Sequence, residues 1–279
     1  MMQIVLPRIG TVAAWRAEAR RLAAAGVAPE TVIWSVGGAA PDLFATAPPV
    51  AASSVTLTLP RAAVDGLETA LMHAEPERFA RAYALVLRLA RRQVRWGDRS
   101  DPMMRRVLDQ EKAVRRDIHK MHAFVRFREV TPPGANRRAF AAWFEPDHHI
   151  VEAAAPFFAR RFGDMDWLIA TPTLTARFEC GEMQISETTE SKPPPADATE
   201  HLWRVYFANI FNPARLMVQA MQSNMPRKYW KNLPEADLIP DLIRSAPARV
   251  MAMQEAEARA PDPRLQKRMR AIAAQRSKG

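Results

Sequence analysis

MMRRVLDQEKAVRRDIHKMHAFVRFREV, residues 103–130, changes its periodicity part-way along. Over 103–120 the apolar residues Met104, Val107, Leu108, Val114, Ile118 and Met121 recur at helical spacing. Arg105, Lys112, Arg116 and Lys120 gather on the opposite side of that helix, with Asp109 among them. From 122 to 130 the period becomes two, with aromatic and basic residues alternating from Phe124 to Arg128, which predicts a strand. Thr131-Pro132-Pro133-Gly134 is a turn, and 138–144 reads as a second strand paired antiparallel to the first. A helix over 148–162 follows, capped by Asp147 and kinked near Pro156, and then two more strands at 167–171 and 175–185. This β-β-α-β-β order among helices predicts an α+β fold: helix-rich, with a small mixed or antiparallel sheet covered by helices.

Working toward the N-terminus, 3–9 and 31–36 read as strands around a helix at 11–25, with Thr11 as its cap and Gly26 as its stop. A further strand is expected at 54–59 and helices at 61–73 and 75–95. In the last of these Phe79, Tyr83, Val86, Leu87, Ala90 and Val94 fall within one arc of about 100°. Arg78, Arg81, Arg88, Arg91, Arg92 and Arg95 occupy a separate arc of about 140°, so one side can pack while the other displays guanidinium groups. Gly97 to Pro102 breaks the pattern and joins two lobes. The expected organisation is an N-terminal α/β lobe over 1–100 that ends in the Arg-rich helix, a core over 101–246, and a charged tail over 247–279. Within the core, 186–198 is a polar, Pro-rich loop, 199–211 and 212–224 are helices, 225–232 is a turn and 234–246 a short helix.

The net charge is +10, and residues 78–128 alone carry fifteen Lys and Arg against five Asp and Glu, a surplus as large as that of the whole chain. A polyanionic partner is the natural reading of such a concentration; the competing one is a codon bias toward Arg and Ala, with the arginines merely solvating helices. The single cysteine, Cys180, rules out an intramolecular disulfide, a multi-thiolate zinc site and a three-cysteine cluster. There is no Walker loop and no dinucleotide fingerprint. No stretch approaches the ~20 apolar residues of a membrane span and the N-terminus is unlike a signal peptide, so a cytoplasmic location without membrane contact is expected.

The candidate nucleic-acid-binding residues are Arg78, Arg81, Arg88, Arg92, Arg116, Lys120, Arg126 and Arg128, joined by Lys228, Trp230 and Lys231. Guanidinium and ammonium groups displace counterions from phosphates, and a Trp among cations can stack a base, although a Trp between helices is usually a core plug. His119, His122 and Glu129 are the candidate catalytic groups. With His148 or His149 the two histidines could hold a metal, but no thiolate or carboxylate spacing supports this, so no metal or cofactor is expected. Glu145, Asp147 and Glu152 near the sheet ends read first as capping and salt-bridging groups, and Cys180 as a small strand hydrophobe.

Four strings carry a resemblance: AVRRDIHKMHAFVRFRE (113–129), APFFARRF (155–162), IFNPAR (210–215) and KYWKNLPEA (228–236). Through them the chain, over roughly 15–246, resembles the functionally obscure family labelled a probable DNA-metabolism protein. Members of that family accompany a putative DNA-repair radical SAM protein and also form the N-terminal part of fusions with UdgX-type uracil-DNA glycosylases. No catalytic role carries over with the resemblance. The sequence ends at Gly279 without a Cys-rich iron–sulfur arrangement or a glycosylase motif, so uracil excision is not expected of this chain, which is either a standalone or a truncated member. Together these readings predict a DNA-binding accessory protein of repair, partnered by a radical SAM protein or a UdgX-type glycosylase. The alternatives are a nucleic-acid-processing enzyme with a His/carboxylate centre and a protein-interaction scaffold.

Overall fold

The computed structural model describes residues 1–38, 58–188 and 217–255, together with 204, 208 and 211–213. The predicted strand at 54–59 and helix at 199–211 lie largely outside the described residues. The chain forms two compact units, 1–200 and 201–279.

The first unit opens with β1 (Met2–Leu6), α1 (Thr11–Ala24) and β2 (Val32–Val36). The two strands pair in parallel, Met2 opposite Val32 and Leu6 opposite Val36. Alternation buries Met2, Ile4 and Leu6, and α1 buries Trp15, Ala19 and Leu22, which are four and three residues apart on one helical face. Gly10 enters α1 at φ 72, a left-handed conformation that suits glycine and turns the chain sharply from strand to helix. The layer beneath consists of α2 (Arg61–Ala70), α3 (Arg78–Ala90) and the first half of α4 (Pro102–Phe124). Gly66 is the point of closest approach, since a Cβ there would collide with the Trp96 indole. One apolar cluster runs continuously from Met2 to Val107 and includes Tyr83, whose hydroxyl donates to Val27 O at 2.8 Å.

Beyond α4 lies the five-stranded sheet, ordered β3 (Arg128–Glu129), β4 (Ala139–Trp143), β5 (Asp166–Ala170), β6 (Leu174–Glu179), β7 (Glu182–Glu187). The β4–β5 pair is parallel and the others are antiparallel, so the sheet is mixed and the fold is α+β. The crossover between β4 and β5 is α5 (Val151–Arg161), which buries Val151, Ala154, Ala155 and Phe158. Phe127, Phe158, Phe162, Trp167 and Phe178 pack around this sheet with ring centroids 5.4–6.5 Å apart.

Several local expectations are corrected. The strand expected over 122–130 is instead the last turn of α4 followed by a two-residue strand, because Val114, Met121 and Val125 continue the buried helical stripe past the point where alternation begins. The segment 175–185 contributes two strands joined at Cys180 and Gly181, with φ of 50° and 91°, so Cys180 is an exposed turn residue and not a strand hydrophobe. Asp147 does not cap α5; that helix starts at Val151 with Ile150 at the N-cap.

In the second unit α6 (Val218–Asn224) precedes two 3-10 turns, Arg227–Asn232 and Pro234–Leu238, and then α7 (Ile239–Glu255). Tyr229, Leu233, Ala236, Ile239, Leu242 and Ala246 are buried there.

Candidate functional site

The exposed face of α4 follows from its buried one. Met104, Val107, Val114 and Met121 point inward, which turns Arg105, Lys112, Arg116 and His119 to solvent. From Arg105 to Lys120 this row spans about 22 Å of helix. Asp109 lies in the row, but Arg99 pairs with it at 3.2 Å. Arg105, Lys112 and Arg116 have no acidic partner among the described residues. Lys120, half-buried, extends the row, and Arg126 closes the C-terminal end of α4 by donating to Ala123 O at 2.8 Å. Arg128 sits half-buried on β3.

The arginines of α3 are arranged differently from the arc that displays six guanidinium groups. Arg78 is only 7% exposed, and its guanidinium donates to Leu71 O at 2.8 Å and to Glu75 O at 2.9 Å. Arg81 is bound at 2.9 Å by Glu75, which also takes Arg106 at 3.0 Å and Gln110 at 2.7 Å. Burial pushes the Glu75 carboxyl up, but the bonds from Arg81 and Arg106 outweigh it and hold the group below its usual range. Arg88 grips Asp101, the N-cap of α4, through two bonds of 2.6 and 3.2 Å. Arg78, Arg81 and Arg88 are thus fasteners of the helical layer, whereas Arg91, Arg92 and Arg95 are exposed beyond the end of α3.

In the second unit Trp230 is half-buried with its indole N–H on Met225 O at 3.1 Å, and the Arg227 guanidinium lies 5.6 Å from its ring centroid. Lys228 places Nζ 4.5 Å from the centroid of Tyr229. The side chain of Lys231 lies outside the described residues.

His119, His122 and Glu129 are not brought together around a cavity. His119 is exposed in the cationic row. His122 stacks on Phe157 at a centroid separation of 4.1 Å, with Nε2 3.3 Å from Ala154 O, and burial lowers its pKa. Glu129 is exposed and clasped by Arg138 at 2.8 Å, and the bonds from Arg138 and then Thr131 bring its carboxyl down to about 2. Among the described residues no group of three or more His, Cys, Asp or Glu side chains could hold a metal. No helix among them is long and apolar enough to cross a membrane.

The first unit also contains a cleft of about 740 Å³, which the sequence reading missed. Its walls are the β1–α1 turn (Arg8, Gly10, Thr11), the flank of α1 (Val12, Ala13, Arg16, Arg20), the end of α2 (Glu68, Leu71, Met72), Arg78 of α3, and His149 with Glu152 at the start of α5. Gly10 N–H donates to the Glu152 carboxylate at 2.9 Å, and Arg16 pairs with Glu68 at 2.8 Å. His149 is fixed from behind. Its own N–H donates to Met72 O at 2.8 Å, and the N–H groups of Asp147 and His148 converge on one oxygen of buried Asp117 at 2.8 and 2.9 Å. Burial lowers the pKa of His149, and the nearby charge of Arg78, His148 and His73 lowers it further. The available signal was the Arg8-x-Gly10-Thr11 turn between a strand and a helix, an unassuming string without a recognised fingerprint.

An α+β protein with a solvent-facing cationic helix row, and a cleft where a parallel βαβ unit opens, is the class these elements define. The chain belongs to DUF4130, a family described as a domain of unknown function, whose model matches residues 76–235. No curated protein and no solved structure matches the chain.

Proposed function

We propose that this protein is a DNA-binding accessory factor of DNA repair or metabolism that grips phosphates through the exposed face of α4. The observation that carries this reading is the row Arg105, Lys112, Arg116 and Lys120 on one side of a single helix, with its one acidic member already paired to Arg99. Such a row neutralises backbone phosphates without reading bases, so binding is independent of sequence and driven by counterion release. Arg126 and Arg128 continue the cationic surface past the helix end, and Lys228 with Trp230 offers a second contact of the cation-plus-aromatic kind. The partner in this reading is a radical SAM repair protein or a UdgX-type glycosylase, the classes that the resemblance to the DNA-metabolism family brings in.

The test is affinity for a short duplex and for a single strand as a function of salt. Four neutralised phosphates give a slope of log K against log salt near −3.6 on duplex, or roughly a 150-fold loss between 50 and 200 mM. The double variant Lys112→Glu, Arg116→Glu flattens that slope by about two. Absence of DNA affinity at low salt, or an unchanged slope in the double variant, overturns the reading in favour of an acidic protein partner.

A further inference from the structure

We propose that the cleft beside α1 is a binding site for a phosphomonoester of nucleotide size, with its phosphate held by Arg78 and His149. This goes beyond DNA binding and stands on different residues.

Arg78 carries the argument. A guanidinium that is 7% exposed in a folded chain is ordinarily matched by a carboxylate, because an uncompensated buried charge is strongly unfavourable. Arg78 has no such match: its bonds go to the carbonyls of Leu71, Ala74 and Glu75 through Nε and Nη1. Nη2 has no protein acceptor among the described residues, and the side chain lines the cleft. The charge is fixed in place, desolvated and open on one edge to a cavity. Its pKa, brought down by burial to about 10, still leaves it a cation at neutral pH. His149 lies on the same wall and feels that charge, together with those of His148 and His73. Neither Arg78 nor the His149 ring has a bonded carboxylate among the described residues, and an anion from outside completes the pair.

The remaining walls narrow the ligand. Of the four arginines in the walls, Arg16 already binds Glu68 at 2.8 Å and Arg8 reaches Glu187 at 3.5 Å, which leaves Arg20 and Arg78 without a carboxylate partner among the described residues. The surplus suits a dianion better than a monoanion. Val12, Ala13, Leu71, Met72 and Leu174 supply an apolar shelf for an organic body. A volume of about 740 Å³ falls in the range of small-molecule sites and holds a mononucleotide. The cleft also lies beyond the C-terminal end of β1, where ligands of parallel α/β units settle. Glu152 takes the N–H of Gly10, the N-cap residue of α1, and sets a negative charge at that terminus, so the phosphate is directed to Arg78 and His149 and not to the helix end.

The experiment is calorimetric titration of the full chain with inorganic phosphate, ribose 5-phosphate, the deoxynucleoside 5′-monophosphates, the unphosphorylated nucleosides and citrate. Monophosphates are expected to bind at least about tenfold more tightly than nucleosides or citrate. Arg78 also holds three carbonyls, so its removal is complemented by variants that leave it in place. Ala13→Trp, at an exposed helical position, fills the cleft and abolishes binding, with circular dichroism confirming the fold. Glu152→Gln keeps an acceptor for Gly10, removes a negative charge from the wall and tightens phosphate binding several-fold. His149→Ala weakens it about tenfold. The proposal is overturned if no monophosphate binds at millimolar concentration, if citrate competes equally, or if the filled cleft binds as well as the native one.

Discussion

Asp117 shows how a single buried charge can organise a site it does not touch. It is 3% exposed on α4, and one carboxylate oxygen receives the N–H groups of both Asp147 and His148. That clamp sets the loop from which His149 reaches the cleft. Bonds to a charged acceptor contribute about 1.5–3 kcal/mol each, and truncation leaves two donors stranded. Asp117→Ala is therefore expected to lose about 3 kcal/mol of stability in urea titration, whereas Asp117→Asn, which keeps an oxygen, loses roughly 1 kcal/mol. Equal losses in the two variants would mean that the carboxyl oxygen is not the clamp. The inward direction of both Asp117 and Arg78 was legible in principle. Asp117 shares a helical face with Gln110, Val114 and Met121, and Arg78 with Ala82, Leu85 and Leu89, all of them buried. Reading charge before position assigned Arg78 to the solvent side. Reading position first would have exposed it as a cation in the core.

At the scale of elements, the junction between α2 and α3 and the loop before α5 are tied by histidines used as acceptors. His73 Nδ1 accepts from Glu75 N–H at 3.1 Å, and His148 Nδ1 accepts from Ala74 N–H at 3.3 Å, with the two rings 4.3 Å apart. Protonation at Nδ1 removes both acceptors and sets like charges face to face. The shifts agree: burial, then His148, lowers His73, and burial is the leading cause for His122 and His149 as well. A folded pKa below the ordinary 6.5 means that the unfolded chain takes up protons first as the solution is acidified. The stability these groups confer is complete above 6.5 and declines as pH falls through that value toward their lower folded pKa values. A second decline belongs to carboxylates held low by their partners, such as Glu129 at about 2, and sets in below their ordinary 4.5. The urea midpoint should thus fall in two stages, and His73→Gln together with His149→Gln should flatten the first. A midpoint that is level from neutrality down to about pH 5 would refute the linkage. The elements themselves were largely readable, because the βαβ opening, α2 and the sheet with its crossover each follow strong local periods. The segment 124–128 was not, since five alternating residues also satisfy the end of a helical stripe and only packing against α5 and the sheet decides between them.

For the whole molecule, the segment matched by the family and the unit that folds are different stretches of chain. The match begins at 76, just before α3, and ends at 235, yet the apolar cluster containing Phe79, Tyr83, Leu85, Val86 and Leu89 is completed by Ile4, Leu6, Trp15, Leu22, Val32 and Leu67 from before it. The cleft straddles the same seam, with Arg8, Arg16 and Glu68 on one side and Arg78, His149 and Glu152 on the other. This sharing was hidden from sequence because each periodic segment shows which face it buries but not against what. Removing residues 1–75 strips β1, α1, β2 and α2 from the helical layer. Each large side chain so uncovered forfeits roughly 1.5–3 kcal/mol of burial, a total beyond the stability of an ordinary domain. A fragment over 76–235 is accordingly expected to bind a hydrophobic dye, to unfold without a cooperative transition and to aggregate, whereas the full chain unfolds cooperatively. Adding the 1–75 segment in trans should restore a cooperative transition if the shared core is the cause. A fragment that is monomeric and cooperative by itself would show that α3 and α4 find another partner within the matched region, and that the cluster from Met2 to Val107 is dispensable for folding.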